Sequence, residues 1–140
     1  MSNVAVVGLG GMGLRHCEAI SKLENVNLIS VCDIDIDRVK ETSHKYKIKS
    51  GYTNWEDMIM TESIDLIIIA TNGDTHHDIT IFASENGVPR VLCEKPITTS
   101  LNKAQNMISV CEKNNTKLVI HHIRRWSESY ERLKKMIDDG

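Results

Sequence analysis

Short runs of β-branched and other apolar residues alternate with segments of helical periodicity along most of this 140-residue chain. This alternation is the strongest constraint on the fold, because strands that alternate with helices pair in parallel and build one sheet. The runs lie at Val4–Val7, Leu28–Cys32, Leu66–Ala70, Val91–Cys93 and Leu118–Ile120. They do not alternate polar and apolar residues, as expected where helices cover both faces. The sequence therefore predicts an α/β fold, a doubly wound parallel sheet in a three-layer αβα arrangement.

The segments between the runs carry the end signals of helices. Asp35 and Asn54 stand where N-cap residues are expected, and Gly87 follows a helical pattern as a stop signal. A short strand or turn is expected around Gly51-Tyr52. Ser100 is expected to cap a helix with one apolar stripe, formed by Leu101, Ala104, Ile108 and Cys111.

A glycine cluster follows the first run directly and has the form Gly-x-Gly-x-x-Gly. On a strand-to-helix turn this spacing is typical of dinucleotide binding. Gly8 permits the tight turn, Gly10 leaves the backbone open to a pyrophosphate, and Gly13 lets the helix pack close to the strand. The pyrophosphate would rest on the N–H groups of the helix N-terminus. The alternative is a glycine-rich turn that binds nothing. We expect a Rossmann-type fold with cofactor contacts from Gly8, Leu9, Gly10, Gly11, Met12 and Gly13.

An acidic residue at the end of the second run completes this pattern. Asp33 lies 20 residues after Gly13, about the distance at which an acid binds the adenosine ribose hydroxyls. Its charge would repel the extra phosphate of NADP, so the sequence favours NAD over NADP. Arg38 is the nearby cation that would soften this discrimination. Asp33 could instead cap the following helix, although Asp35 is available for that purpose.

Composition excludes several classes of function. The 17 Lys and Arg against 19 Asp and Glu leave a formal net charge of -2, so no broad positive surface is expected for nucleic acid or an anionic membrane. The longest apolar run is strand-sized, and the N-terminus has no secretory signal pattern, so we expect a cytoplasmic protein. The 4 cysteines form no CxxC pair and are expected to be small buried side chains.

Lys95 lies at the carboxyl end of the fourth run, within the triplet Glu94-Lys95-Pro96. Ligands bind at this edge of doubly wound sheets, so Lys95 could polarise a substrate hydroxyl or carbonyl. Outside such a setting a lysine is a solvated surface charge. The pairs His76–His77 and His121–His122 suggest a metal, but adjacent side chains diverge in strands and helices, so no metal site is expected. His121 or His122 would belong to the cleft wall.

Several of these segments occur in an order that resembles the N-terminal domain of the glucose-fructose oxidoreductase and inositol dehydrogenase family (Gfo/Idh/MocA). The resemblance covers nearly all of the chain, with the Glu-Lys-Pro triplet as its most specific element. It rests on Gly8–Gly13, Asp33, Ile64–Thr71, His76, Glu94–Pro96 and Arg124–Trp126. Where the family usually has Thr-Pro-Asn, this chain has Thr71-Asn72-Gly73.

The resemblance implies an NAD-dependent oxidoreductase that transfers a hydride between a sugar or polyol CH–OH group and the nicotinamide. Lys95 would hydrogen-bond the reacting hydroxyl as a catalytic residue, and His76 would lie near the nicotinamide as a second one. Pro96 would follow a cis peptide bond. Beyond the glycine motif, the predicted cofactor-binding residues are Asp33, Arg38, Thr71, Asn72, His76, Glu94 and Lys95.

The last segment predicts a helix with an apolar face and a terminal glycine, formed by Trp126, Tyr130, Leu133, Ile137 and Gly140. By the resemblance, residues 1–122 form the cofactor-binding domain, and residues 123–140 are a linker and helix leading to a C-terminal substrate domain that supplies the general base. The chain alone would then bind the dinucleotide with little or no turnover. The full-length protein would be a homo-oligomer acting on a small molecule, without nucleic acid or membrane. The alternatives are a non-catalytic NAD-binding or sensing module and a structural domain.

Overall fold

The computed structural model describes residues 1–140 as six strands, six α-helices and one 3₁₀ turn. The strands are β1 Ser2–Val7, β2 Val26–Cys32, β3 Ser50–Tyr52, β4 Leu66–Ile69, β5 Arg90–Glu94 and β6 Lys117–His121. The helices are α1 Gly11–Ile20, α2 Ile36–Tyr46, α3 Trp55–Thr61, α4 His76–Glu85, α5 Leu101–Lys113 and α6 Glu128–Asp138, with the 3₁₀ turn at Ile123–Trp126. None of the helices is both long and apolar enough to cross a membrane.

All six strands belong to one parallel sheet of order β3-β2-β1-β4-β5-β6. The strand order reverses between β1 and β4, because the chain builds β1 to β3 in one direction and then crosses back to β4. In doubly wound sheets a crevice opens at this point, outside the carboxyl ends of the strands. The predicted fold class is therefore confirmed, and the topology sets where a ligand would lie.

The core has two layers, one on each face of the sheet. Val4 and Val6 of β1 pack with α1 and α2 in one buried cluster, while Ala5 and Val7 pack with α3, α4 and α5 in the other. Successive strand residues point to opposite faces, so a strand covered on both sides must be apolar throughout. This is why β1 carries no polar residue between Val4 and Val7.

Two of the three predicted helix caps are confirmed. The Asp35 carboxylate accepts hydrogen bonds from the N–H groups of Asp37 and Arg38, and the Asn54 side chain accepts one from Glu56. Ser100 precedes α5 as predicted, but its side chain makes no capping hydrogen bond.

The predicted apolar stripe on α5 is wrong at two of its four residues. Leu101 is 74% exposed and Ile108 46% exposed, whereas Cys111 is buried as predicted and is joined by Met107, which was not predicted. The sequence allows either stripe, since both have helical spacing. Packing against α4 selects the face that carries Met107.

The segment after β6 forms a helix as predicted, but no residue of α6 is buried. Its predicted apolar side chains are all exposed, and Trp126 lies in the 3₁₀ turn before the helix. Arg124 lies over the ring of Tyr130, with 5.8 Å between the guanidinium carbon and the ring centroid. Gly140 has a φ of +89°, which suits a glycine that follows a helix end.

The cysteines are small buried side chains, as predicted, and none is paired. Burial raises the pKa of Cys32 and of Cys93 to about 12, and the pKa of Cys17 to about 11. These thiols are therefore neutral at physiological pH and poor nucleophiles.

Candidate cofactor site

The glycine motif forms the turn between β1 and α1, and two of its glycines lie where the chain approaches itself most closely. Gly8 has a φ of +89°, and a Cβ there would lie 2.7 Å from the carbonyl carbon of Ala70. A Cβ on Gly13 would lie 1.7 Å from the Gly8 carbonyl oxygen. Only glycine allows this contact between helix and strand.

The other two glycines of the motif have the opposite surroundings. A Cβ on Gly10 or Gly11 would meet nothing within 4 Å. No other part of the chain covers the backbone there, because the turn faces an open crevice. A pyrophosphate fits this arrangement, since it requires close approach to main-chain N–H groups without an intervening side chain.

The N-terminus of α1 offers the donors that such an anion needs. The first hydrogen bond across this turn runs from the Leu14 N–H to the Gly10 carbonyl, 3.0 Å away. The preceding N–H groups of the turn have no intrahelical partner. No side chain caps the helix, and its first turn carries no acidic residue. The positive end of the helix dipole is therefore open to an external anion.

Asp33 lies at the end of β2 and is 8% exposed. Its Oδ2 accepts a hydrogen bond from the Leu9 N–H at 2.6 Å, and its Oδ1 accepts one from the Asp35 N–H at 3.0 Å. Asp33 does not cap α2, because Asp35 does. Each carboxylate oxygen can accept a further hydrogen bond, so the side chain remains available to ribose hydroxyls.

Arg38 is restrained by the two acids in front of α2. Its Nε lies 3.4 Å from an Asp35 carboxylate oxygen, and its Nη1 lies 4.0 Å from Asp33 Oδ2. The guanidinium is half-exposed and its charge is partly balanced. This pairing reduces the capacity of Arg38 to attract the extra phosphate of NADP.

A cleft of about 280 Å³ opens at the reversal of the strand order. It brings together many of the predicted cofactor residues, namely Gly8, Gly10, Asp33, Arg38, Thr71 and Asn72. The other lining residues were not predicted, and Ile34, Trp55 and Thr75 are among them. Ile34 is 94% exposed directly after Asp33, so an apolar side chain stands open where an adenine ring would pack. The signal that could have identified Ile34 is its place in the sequence, directly after the predicted ribose ligand Asp33.

Thr75 links residues of the loop after β4 by hydrogen bonds. The Thr75 hydroxyl lies 2.7 Å from the Thr71 hydroxyl and 2.9 Å from the Asn72 carbonyl oxygen. The Thr75 N–H also donates to the Asn72 carbonyl. These contacts form the rim of the cleft on the β4 side.

His76 is completely buried. Its Nδ1 lies 2.8 Å from the Pro96 carbonyl oxygen and its Nε2 lies 3.1 Å from the Thr71 carbonyl oxygen. The ring thereby joins the loop after β4 to the loop after β5. A neutral imidazole donates to one of these carbonyls, and an imidazolium donates to both. Both nitrogens are occupied within the chain, which favours a positioning role for His76.

Lys95 follows β5 at the carboxyl edge of the sheet. The peptide bond between Lys95 and Pro96 is cis, as the resemblance implied. The Lys95 side chain is exposed and makes no hydrogen bond or ion pair within the chain. It is therefore a free cation at the edge where ligands bind in this fold.

Glu94, by contrast, is buried, and one of its carboxylate oxygens has two partners within the chain. Its Oε1 accepts hydrogen bonds from His16 Nε2 at 2.8 Å and from His121 Nδ1 at 2.6 Å. Burial acts to raise the pKa of Glu94, but the hydrogen bonds and charges of the two histidines outweigh it and hold the pKa below its usual range. The carboxylate is ionised at neutral pH. His16 was not predicted, because no sequence spacing connects it with Glu94, 78 residues further on.

Comparison with known proteins agrees with this geometry. Residues 2–122 match the Gfo/Idh/MocA oxidoreductase family, described as having an NAD-binding Rossmann fold. An inositol 2-dehydrogenase of Salmonella typhimurium is 30% identical over 138 residues, and a D-apiose dehydrogenase of Paraburkholderia graminis is 26% identical over 136 residues. These alignments cover 96% and 97% of this chain but only 41% and 36% of the relatives.

Solved structures show the same partial coverage. The crystal structure of myo-inositol 2-dehydrogenase from Lactobacillus plantarum superposes with a TM-score of 0.92 at 33% identity, over 99% of this chain and 41% of that one. The WlbA dehydrogenase from Chromobacterium violaceum, in complex with NADH and UDP-GlcNAcA, superposes with a TM-score of 0.92 at 27% identity, over 99% and 40%. The chain thus spans about 41% of the length of the inositol dehydrogenases that it matches. Its glycine turn, its Asp33 and its match over residues 2–122 show that this chain belongs to the Gfo/Idh/MocA oxidoreductase family, as its NAD-binding Rossmann domain.

Proposed function

We propose that this chain is the cofactor-binding part of a dehydrogenase that transfers a hydride between a CH–OH group of a sugar or polyol and NAD. The observation that carries the proposal is Lys95, an exposed and unpaired cation at the sheet edge that also holds the glycine turn and Asp33. A module that only binds or senses the nucleotide has no need of such a cation. The names of the relatives, inositol and apiose dehydrogenases, support a polyol or sugar substrate.

Each residue would act through a group that the structure leaves available. The N–H groups from Gly10 to Gly13 would bind the pyrophosphate, and Asp33 would accept hydrogen bonds from the adenosine ribose. Bound NAD supplies the acceptor for the hydride. Lys95 would donate a hydrogen bond to the reacting hydroxyl and stabilise negative charge on its oxygen as the C–H bond breaks. His76 would hold the backbone on either side of this site through Thr71 and Pro96.

The remaining parts of the reaction belong to the whole protein. We propose the division predicted from the sequence, with residues 1–122 as the cofactor domain and residues 123–140 as a connection to a substrate domain. The exposed apolar side chains of α6 support this division, since they have no partner within the chain. The general base would come from that domain. The full protein would be cytoplasmic and homo-oligomeric, with a small molecule as its only substrate.

The role of Lys95 is tested in the full-length protein that carries this chain. Lys95→Met should keep the NAD dissociation constant within about twofold. It should lower kcat for NADH formation from a panel of inositols and aldoses by about a thousandfold, since a donor to the developing oxyanion is lost. Lys103→Met, on the exposed face of α5, is the matched control. Unchanged kcat in Lys95→Met would favour the sensing module.

The preference for NAD is tested in the 140-residue chain. Asp33→Ser should raise the ratio of NADP to NAD affinity by about tenfold or more, because the repelled 2′-phosphate gains access to Arg38. Asp37→Ser removes an exposed acid from the same segment and should leave the ratio unchanged. Equal affinity ratios in the two variants would contradict the role of Asp33.

A further inference from the structure

Three side chains from distant parts of the chain meet on the α1 face of the sheet. His16 comes from α1, Glu94 from the end of β5 and His121 from the end of β6. Their side chains are 11%, 8% and 21% exposed. The imidazole rings of His16 and His121 lie 4.9 Å apart between centroids. We refer to these three residues as the His16–Glu94–His121 cluster.

The geometry of the cluster is that of hydrogen bonds. Both histidine nitrogens approach the same carboxylate oxygen, at 2.8 and 2.6 Å. Two ligands of a tetrahedral zinc ion would stand roughly 3.4 Å apart, given zinc–ligand distances near 2.1 Å. The observed separations are shorter than that, so the carboxylate is satisfied by two N–H donors without an ion.

The cluster therefore carries a net charge that depends on its protons. With Glu94 ionised and both imidazoles neutral, the net charge is negative by one unit. Each imidazole that takes up a proton adds a positive charge. The donating N–H groups hold the carboxylate in one position, at the carboxyl edge next to Lys95.

The position of the Glu94 carboxylate decides which end of a bound dinucleotide it can affect. In doubly wound folds the half-sheet that begins with β1 binds the adenosine side of a dinucleotide, and the half-sheet of β4 to β6 binds the nicotinamide side. The Asp33 cleft lies in the first half and Glu94 in the second. The oxidised nicotinamide ring carries a positive charge, and the reduced ring is neutral. A fixed negative charge nearby interacts with one form only.

We infer that the His16–Glu94–His121 cluster sets the preference of this site between NAD⁺ and NADH, with Glu94 as the charge and His16 and His121 as its positioning residues. The inference rests on the proposed function, because it places the nicotinamide in the β4 to β6 half. Protonation of one histidine offsets the charge of Glu94, and protonation of both makes the cluster positive by one unit. The site should therefore favour NAD⁺ more strongly at about pH 8 than at about pH 5.5.

The other charged groups around the cluster are few. On α1, Arg15 is exposed and contacts Met12, while Glu18 is paired with Lys22. On β5 and β6, Arg90 and Lys117 lie at the opposite, amino-terminal ends of their strands. Lys95 and His122, the chain neighbours of the cluster, are both exposed. Among the buried or half-buried side chains of these three elements, the cluster thus holds the acidic and basic groups.

The test is the ratio of the NADH to the NAD⁺ dissociation constant, measured by calorimetry on the 140-residue chain at about pH 8 and about pH 5.5. At the higher pH, Glu94→Gln should lower this ratio about three- to tenfold, the effect of one unit charge in a partly solvated site. Glu18→Gln, an exposed acid on α1, is the matched control and should leave it unchanged. In the wild type the ratio should fall by a similar factor on acidification.

A second variant separates charge from hydrogen bonding and does not depend on the folding of Glu94→Gln. In His16→Gln/His121→Asn, each amide places a donor near the nitrogen that it replaces but cannot take up a proton. The variant should keep the wild-type ratio at about pH 8 and lose its dependence on pH. A ratio that still falls on acidification as in the wild type overturns the inference, as does a Glu94→Gln ratio equal to that of Glu18→Gln.

Two further outcomes are distinguishable from these. If zinc chloride raises the Tm of EDTA-treated wild type but not that of the double variant, the cluster is a metal site and the inference is wrong. If neither nucleotide binds the wild type, the proposed function fails and the inference fails with it. Binding of both nucleotides with unchanged ratios refutes the inference alone.

Discussion

Replacement of Gly13 by alanine tests the closest contact in the fold. The new Cβ would lie 1.7 Å from the Gly8 carbonyl oxygen, whereas ordinary contact begins near 3.4 Å. The turn and the first residues of α1 must therefore separate by about 1.7 Å, the difference between these two distances. Because the opposing atom is backbone, no side-chain rotation relieves the clash.

The expected loss of stability follows from two opposing effects. Overpacking of a filled interior costs about 1–3 kcal/mol, with backbone clashes at the upper end, and the better helix propensity of alanine returns less than about 1 kcal/mol. We expect the free energy of unfolding to fall by about 2–3 kcal/mol in Gly13→Ala. This is a large share of the roughly 5–15 kcal/mol typical of a domain.

Urea denaturation followed by circular dichroism measures this loss, and Gly10→Ala is the matched control. A Cβ on Gly10 meets nothing within 4 Å, so its free energy of unfolding should change by less than about 0.5 kcal/mol. The same Cβ would occupy the space of the pyrophosphate and should weaken NAD binding at least about tenfold. Equal stability of the two variants, or wild-type NAD affinity in Gly10→Ala, would refute the assignment of the two glycines.

Three further predictions concern thiols, helix caps and acid. The four buried cysteines should react with a disulfide reagent only as fast as the chain unfolds, because burial also raises the pKa of Cys32 and Cys93 to about 12; labelling of the native state would contradict this. Asn54→Ala should lose about 1 kcal/mol in urea denaturation, whereas Ser100→Ala, which removes no capping hydrogen bond, should lose clearly less. Folding lowers the pKa of Glu94 from the reference value of 4.5. The ionised carboxylate therefore stabilises the fold above that pH, and this contribution disappears as the pH falls through the lower folded-state pKa. When the free energy of unfolding is measured against pH, it should decline less on the acid side in Glu94→Gln than in the wild type.

The strands, the glycine turn and the position of Asp33 directly after β2 were predictable because their signals are local. A strand buried on both faces is apolar along most of its length, and a turn that contacts a pyrophosphate lacks Cβ atoms where its backbone approaches that group. Neither requirement depends on which other segment packs nearby. The cap of α2 followed for the same reason, since Asp35 bonds to N–H groups two and three residues ahead.

Two features were not predictable in this way: which face of α5 is buried, and whether the apolar face of α6 is covered. On α5 two stripes have helical spacing, and contact with α4 decides that Met107 is inside and Leu101 outside. On α6 the apolar face is present in the sequence, yet periodicity cannot say whether another element covers it. The structure shows it exposed.

By itself, then, the sequence determined the doubly wound class, the position of the glycine turn and the placement of Asp33 and Lys95 directly after strands, because each depends on the chain within a few residues or on strand order. Only the tertiary structure decided that His76 is buried between two carbonyls and that His16 and His121 meet on Glu94. These contacts join residues up to 78 positions apart. They exist because parallel strands bring their carboxyl ends to one edge of the sheet, where the middle of α1 meets them.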